Sequence, residues 1–242
     1  MSPSFLAVLL AVLLLSGCAA PAPAPPDAPE PPPEQTSLPD APPLPEPAPE
    51  PEPGDFVRVT DYLPEIRVDL RYAGEDNFTG QVIYSFSGAY LRYGTLEKLS
   101  AAQETLAEAG YGLLLWDAFR PTAAQFRLWE VCPDPAYVAN PQRGFSSHSR
   151  GNTVDLTLVT LEGETVEMPT GFDDFSPLAD RDYSDVPETA AANARLLESA
   201  MTAAGFRPYQ GEWWHFTDTD DYPVEEDFSP EQQEEPHADY GH

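Results

Sequence analysis

The chain has 242 residues, 29 of them proline, and a formal net charge of −29 from 41 acidic and 12 basic side chains. That length allows one folded domain with appendages, and the acidity excludes a nucleic-acid partner, whose phosphates require a basic face. Only two cysteines occur, Cys18 and Cys132, and if Cys18 carries a lipid, Cys132 is left alone and no disulfide framework is possible within one chain.

The chain begins with an apolar run, Phe5 to Leu15, that ends in Leu15-Ser16-Gly17-Cys18. The run is short for a bilayer span and has the length of a signal-peptide core. Small residues ahead of a cysteine predict a lipoprotein signal over 1–17 with Cys18 as the lipid-bearing terminus, although Met1 to Ser4 carries no Lys or Arg. Residues 21–53 hold sixteen prolines interleaved with Ala and Glu. Proline lacks an N–H donor and fixes φ, so 18–53 is expected to be a semi-rigid spacer, roughly 100 Å long at ~3.1 Å per residue. An anchor followed by a stiff spacer implies a domain tethered in the cell envelope, on the non-cytoplasmic side of a membrane.

The folded domain is expected over 54–217. Val57 to Val68 reads as extended, with a break at Pro64. Thr95 to Ala109 reads as a helix, with Leu96, Leu99 and Leu106 on one stripe and Gly110 as its stop. Tyr111 to Phe119 is a buried strand, and Pro121 opens a helix that runs to about Val131. Cys132, at its end, reads as a buried small hydrophobe. Asn152 to Thr160 is a second strand, with Val154, Leu156 and Leu158 on one face and Asp155 on the other. Pro187 to Ala204 is an Ala/Leu helix closed by Gly205, and Phe206 to Phe216 a third strand broken at Gly211. From Asp218 to His242 there are ten acids and no Lys or Arg, which reads as a solvated, disordered tail. Helices and strands mix without strict βαβ alternation. The expectation is an α+β fold, a single compact domain with a central antiparallel sheet flanked by helices.

Of four histidines, His237 and His242 fall in the acidic tail, and His148 and His215 lie in the domain close to carboxylates. A catalytic zinc needs three ligands from His, Asp or Glu and an open fourth position. His148, Asp155 and His215 supply such a set, with Arg150-Gly151-Asn152 turning the chain between the first two. Glu212 is a non-ligand carboxylate suited to proton transfer. It stands three residues before His215, on the opposite face of an ideal strand, so a bulge after Gly211 or a turn out of the strand is required. Arg120, between a buried strand and Pro121, is placed to stabilise developing negative charge.

These residues carry a resemblance. His148-x6-Asp155 with Glu212-x-Trp-His215 resembles the zinc peptidases that include D-Ala-D-Ala dipeptidases, D,D-carboxypeptidases and the hedgehog fold. Residues 147–158, Val68-Asp-Leu-Arg-Tyr72, Asn77-Phe-Thr-Gly80 and Asp117-Ala-Phe-Arg-Pro121 are similar to the dipeptidase branch in particular. The resemblance implies one zinc per chain on His148, Asp155 and His215, Glu212 as catalytic acid/base, and Arg120 stabilising the transition state. It further implies Asp173 near the substrate amine, with Ser146 and Tyr72 lining the site. Pro169 stands where the family usually has Gly, which leaves open whether Asp173 or Asp174 faces the amine. The implied activity is hydrolysis of a small D,D-dipeptide in cell-wall metabolism or glycopeptide resistance. The alternatives are trimming of peptidoglycan stem peptides by a D,D-carboxypeptidase or endopeptidase, and a non-catalytic binding module. The sequence leaves oligomeric state open.

Overall fold

The computed structural model describes residues 49–234. The expected signal segment, Cys18 and nearly all of the spacer lie outside the described residues. Among the described residues no helix is long and apolar enough to cross a membrane.

A five-stranded sheet organises the domain. In chain order its strands are β2 (Arg67–Val68), β4 (Tyr111–Asp117), β5 (Thr153–Thr160), β6 (Phe206–Pro208) and β7 (His215–Asp218), in the spatial order β2-β4-β5-β7-β6. All neighbours are antiparallel except the edge strand β2, which runs parallel to β4. The sheet is therefore mixed at one edge and otherwise antiparallel as expected. A separate ribbon pairs β1 (Phe56–Arg58) with β3 (Tyr90–Arg92).

One face of the sheet carries Leu113, Leu115, Val154, Leu156, Leu158 and Phe216, all fully buried. The helices α2 (Tyr93–Glu108) and α4 (Glu188–Ala203) pack on each other and on these central strands. In α2 the stripe Leu96, Leu99, Gln103, Leu106 is buried at helical spacing. Gln103 Oε1 accepts the N–H of Leu113, which satisfies a polar group the stripe would otherwise strand. The helix α3 (Thr122–Val131) begins directly after Pro121. Cys132, just beyond it, is half-buried.

Two expected strands are not continuous. Val57 to Val68 contains the short helix α1 (Val59–Tyr62) between β1 and β2. Phe206 to Phe216 is two strands joined by a turn, because the chain leaves the sheet after Pro208 and re-enters at His215.

The expected disordered tail is also corrected: residues 218–234 fold onto the domain, and only 235–242 lie outside the described residues. Charge alone suggested solvation, but the segment carries apolar anchors. Phe228 stacks on Phe56 at 4.3 Å and meets Tyr90 and Phe119 edge-on. Its acids have partners as well. Glu225 pairs with Arg92 at 3.0 Å, and Glu234, in α5 (Pro230–Glu234), accepts the backbone N–H groups of Ser87 and Gly88.

Ending the chain after Asp218 should therefore lower the thermal midpoint of the protein by more than 10 °C. Phe228→Ala alone should cost about 2 kcal/mol in urea denaturation, less than a fully buried Phe because the residue is only partly buried. A shortened chain as stable as the full one would return this segment to the status of a solvated tail.

Candidate metal centre

The site lies on the sheet face opposite the helices, and a register shift builds it. Between β4 and β5, Leu113 pairs with Leu158 and Leu115 with Leu156, but Asp117 pairs with Asp155. An unshifted strand would have set Asp117 opposite Val154, on the apolar face. The extra residue at Trp116 turns Asp117 onto the face of Asp155. On the other side Asp155 pairs with His215 of β7. Asp117, Asp155 and His215 thus form one row across three neighbouring strands.

His148 reaches this row from a 3-10 turn, Ser147–Arg150. Ser146 caps the turn, its hydroxyl accepting the N–H of His148 at 3.3 Å. The chain then reverses through Gly151 at φ 76, where a Cβ would meet the Phe56 ring at 2.4 Å, so only glycine fits. His148 Nδ1 donates to the carbonyl of Ala118 at 2.8 Å. That bond sets the tautomer and leaves Nε2 as a lone-pair donor, 3.3 Å from Asp155 Oδ2.

His215 Nδ1 lies 2.9 Å from Asp155 Oδ1 and 3.6 Å from Glu212 Oε2. Ligand atoms of His148, Asp155 and His215 all lie within 4.8 Å of one another. Tetrahedral zinc ligands at ~2.1 Å from the metal sit roughly 3.4 Å apart, so these positions fit. Asp155 Oδ1 is buried and makes no hydrogen bond, despite its closeness to His215. A buried carboxylate oxygen facing a ring nitrogen without hydrogen-bond alignment is what a shared cation would satisfy.

The required turn out of the strand is present: residues 209–214 leave the sheet and carry Glu212 back toward His215. Burial, reinforced by the charge of Asp155, raises the Glu212 carboxyl above its ordinary pKa. Burial opposes ionisation of Asp155 too, but His148 and His215 together pull it below the usual carboxylate range. Burial lowers His148, yet Asp155 and Asp117 outweigh it and raise the imidazole.

Arg120 is buried, not a surface residue. Its Nη2 donates to Asp117 at 2.6 Å, Nη1 to Gln125 at 3.0 Å and Nε to Tyr84 at 3.2 Å. Of five guanidinium N–H groups, two stay uncommitted. The charge acts on His148, Asp173 and Glu212 alike. Tyr72 stacks beneath it, 5.1 Å from ring centre to guanidinium carbon, and donates its hydroxyl to Asp173 at 2.8 Å. Asp173 has φ 55, a left-handed backbone strained for a non-glycine residue. Burial, helped by the charges of Asp155 and Glu212, pushes its carboxyl up to about 8 against the hydrogen bond from Tyr72. Asp174 instead accepts the N–H of Ser176 at 2.9 Å in an exposed turn.

Every site residue read from the sequence within the described region therefore reaches one neighbourhood. Cys18 falls outside the described residues. Sequence reasoning assigned no role to Asp117, Tyr84 or Gln125. Asp117 binds Tyr84 at 2.7 Å and Arg120 at 2.6 Å, and sits 3.6 Å from His148 Nδ1. Its signal was a lone acid ending the apolar run Leu-Leu-Leu-Trp-Asp117.

A peptidase family model described as D-ala-D-ala dipeptidase matches residues 53–234. A D-alanyl-D-alanine dipeptidase of Escherichia coli (strain K12) is 36% identical over 162 residues, which are 67% of this chain and 83% of the relative. One from Streptomyces coelicolor is 40% identical over 185 residues, 68% and 91% of the two chains. One from Enterococcus faecium is 36% identical over 189 residues, 69% and 94%.

The position of Asp173 has a measurable consequence for stability. Its folded pKa of about 8 stands above its ordinary value of 3.8. Between those limits the folded chain holds a proton that the unfolded chain has released, so this group's contribution falls as pH rises. In metal-free protein the thermal midpoint should drop more steeply from about pH 5 to about pH 8 than in Asp173→Asn, with the curves several degrees apart at the alkaline end. Parallel curves would mean that Asp173 is ionised throughout.

Proposed function

This chain belongs to the D-ala-D-ala dipeptidase family of metallopeptidases, and we propose that it hydrolyses D-alanyl-D-alanine, or a closely similar D,D-dipeptide, with one zinc on His148, Asp155 and His215. The observation that carries this reading is the convergence of those three donors with Glu212 3.6 Å from His215 and a buried Arg120. Zinc bound there supplies a Lewis acid and lowers the pKa of its water to about 7.

The remaining chemistry belongs to the side chains. Glu212, its pKa raised by burial, accepts a proton from the attacking water and delivers it to the departing amine. Arg120 offers its uncommitted N–H groups to the carbonyl oxygen as negative charge develops. Asp117, Tyr84 and Gln125 hold the guanidinium so that this requires no reorganisation. Asp173, held by Tyr72, receives the substrate's ammonium group, which favours the ionised carboxylate that burial disfavours. Ser146 is a lining residue whose hydroxyl hydrogen remains available after it caps the His148 turn.

The same reading places the enzyme in the cell envelope, attached through lipid on Cys18 and held off the membrane by the Pro-rich spacer. It acts there in cell-wall metabolism or glycopeptide resistance. The support is the apolar run ending in Leu15-Ser16-Gly17-Cys18 and the sixteen prolines that follow. That tether also favours a second reading, trimming of peptidoglycan stem peptides.

Amine release by the full chain from free D-Ala-D-Ala and from a stem pentapeptide ending in it separates the two. Chelator-sensitive cleavage of the dipeptide alone is expected. Cleavage of the pentapeptide would move the assignment to a carboxypeptidase, and activity on neither would leave a binding module. Glu212→Gln should retain zinc and lose about 10²–10⁴-fold in kcat. Arg120→Lys should lose roughly 10²-fold in kcat with little change in KM, because an ammonium cannot reproduce the three-partner fork.

A further inference from the structure

The structure assigns to Arg181, a residue outside the metal centre, the task of positioning the turn that carries Glu212 and His215. The assignment rests on the proposed function for the role of Glu212, but not for the position of His215. The turn leaves β6 after Pro208 and re-enters the sheet at His215. Its second half is well held. Trp213 and Trp214 are fully buried, the Trp213 N–H donates to Ala179 at 2.9 Å, and the Trp214 carbonyl accepts from Leu156 at 3.1 Å.

The first half has poorer internal bonding. Tyr209 N–H reaches the His215 carbonyl at 3.2 Å, Glu212 N–H the Tyr209 carbonyl at 3.4 Å, and His215 N–H the Glu212 carbonyl at 3.4 Å. The two that involve Glu212 are long for backbone hydrogen bonds, and the first is at the upper end of the ordinary range. Gly211 lies among them and contributes no side chain to pack. Left to these contacts, Glu212 would not be confined to one position relative to His215.

Arg181 supplies what is missing. Its side chain is 2% exposed. Nε donates to the Tyr209 carbonyl at 2.8 Å and Nη2 to the His215 carbonyl at 3.0 Å. One planar fork therefore spans both feet of the turn and sets their separation. The guanidinium lies over Phe216 at 4.5 Å, and its own backbone N–H binds the Gln210 carbonyl at 3.2 Å. Nη1 is held from the far side by Glu198 of α4 at 3.1 Å and by the Tyr183 hydroxyl at 3.2 Å. Glu198 balances the buried charge; the two carbonyl bonds go beyond that balance and bear on the site. A lysine offers no rigid fork and cannot hold both carbonyls in one geometry. Arg181 touches neither substrate nor ligand atoms, so it is a positioning residue.

The test compares Arg181→Gln, Arg181→Lys and Glu198→Gln in the full chain. Zinc affinity of the metal-free protein is read by competition with a chromophoric chelator, beside the thermal midpoint without metal and kcat and KM on D-Ala-D-Ala. Arg181→Gln should lower zinc affinity and kcat each about 10–100-fold, with KM within about threefold. Arg181→Lys should recover part of both losses. Glu198→Gln, which loosens the same side chain from α4 only, should lower the midpoint yet leave zinc affinity within about threefold of wild type. An Arg181→Gln protein that loses only thermal stability would overturn the assignment, as would a Glu198→Gln protein that loses zinc affinity equally. Should Arg181→Gln fail to fold, Arg181→Lys decides, with zinc affinity below that of Glu198→Gln supporting the assignment and equal affinity refuting it. The zinc readout holds even if the wild-type chain proves inactive on D-Ala-D-Ala, so failure of the proposed function is distinguishable from failure of this inference.

Discussion

One irregularity in strand pairing governs the site. The extra residue at Trp116 shifts β4 against β5 so that Asp117 stands opposite Asp155 and not Val154. Strand side chains alternate between faces, so a one-residue shift exchanges a core position for a site position. Without it Asp117 would point into the leucine layer beneath α2. With it, Asp117 is available to Arg120, Tyr84 and His148 together. Arg120, the His148 imidazole and the acid between them therefore depend on a single backbone feature.

The electrostatics follow from that concentration of acids. Asp117, Asp155, Asp173 and Glu212 share a buried region with one guanidinium. Burial resists ionisation of Glu212 and Asp173, and the charge of Asp155 adds to that resistance. Asp155 escapes it because two imidazoles flank it. The carboxyl pulled down is the one with two imidazoles beside it, and the two pushed up lack a counter-charge that outweighs their burial. A divalent cation on His148, Asp155 and His215 would add positive charge to this acid-rich pocket. Position within one acid-rich pocket thus sorts the carboxyls that are raised from the one that is lowered.

Much of this was legible in the residues, and the limits have physical causes. α2, α4, β4 and β5 were readable because their apolar stripes have the period of the element they form. The cluster of His148, Asp155 and His215 was readable as a candidate because histidine is scarce and each domain histidine has acids at short spacing. The β6–β7 turn was foreseen as a necessity, since Glu212 and His215 cannot share a strand face at a spacing of three. The Trp116 bulge was not readable, because pairing register depends on a strand distant in sequence. Arg181 was hidden for a similar reason: its partners come from two segments distant from it in sequence, the β6–β7 turn with Tyr209 and His215, and α4 with Glu198. The segment after Asp218 was misread because charge outvoted two aromatic residues, Tyr222 and Phe228, whose slots only the folded domain provides.

That misread segment bears on the metal centre. The Glu225 N–H donates to the carbonyl of Ser149 at 2.8 Å, Arg150 donates to the Tyr222 carbonyl, and Asn152 Nδ2 donates to the Asp220 carbonyl at 3.0 Å. Arg92 adds Nε to the Arg150 carbonyl at 3.0 Å and its backbone N–H to the Gly151 carbonyl at 2.9 Å. Residues 149–152, which leave His148 and enter β5, are thereby clamped from outside the sheet. The three candidate donors arrive by separate routes: Asp155 on a central strand, His215 at the start of β7 where the turn spanned by Arg181 ends, and His148 on a turn gripped by β3 and the C-terminal segment. Donors on separately braced elements give up little conformational entropy when they converge on an ion, because each is already fixed. The acidic end of the described chain is therefore part of the scaffold of the candidate metal centre.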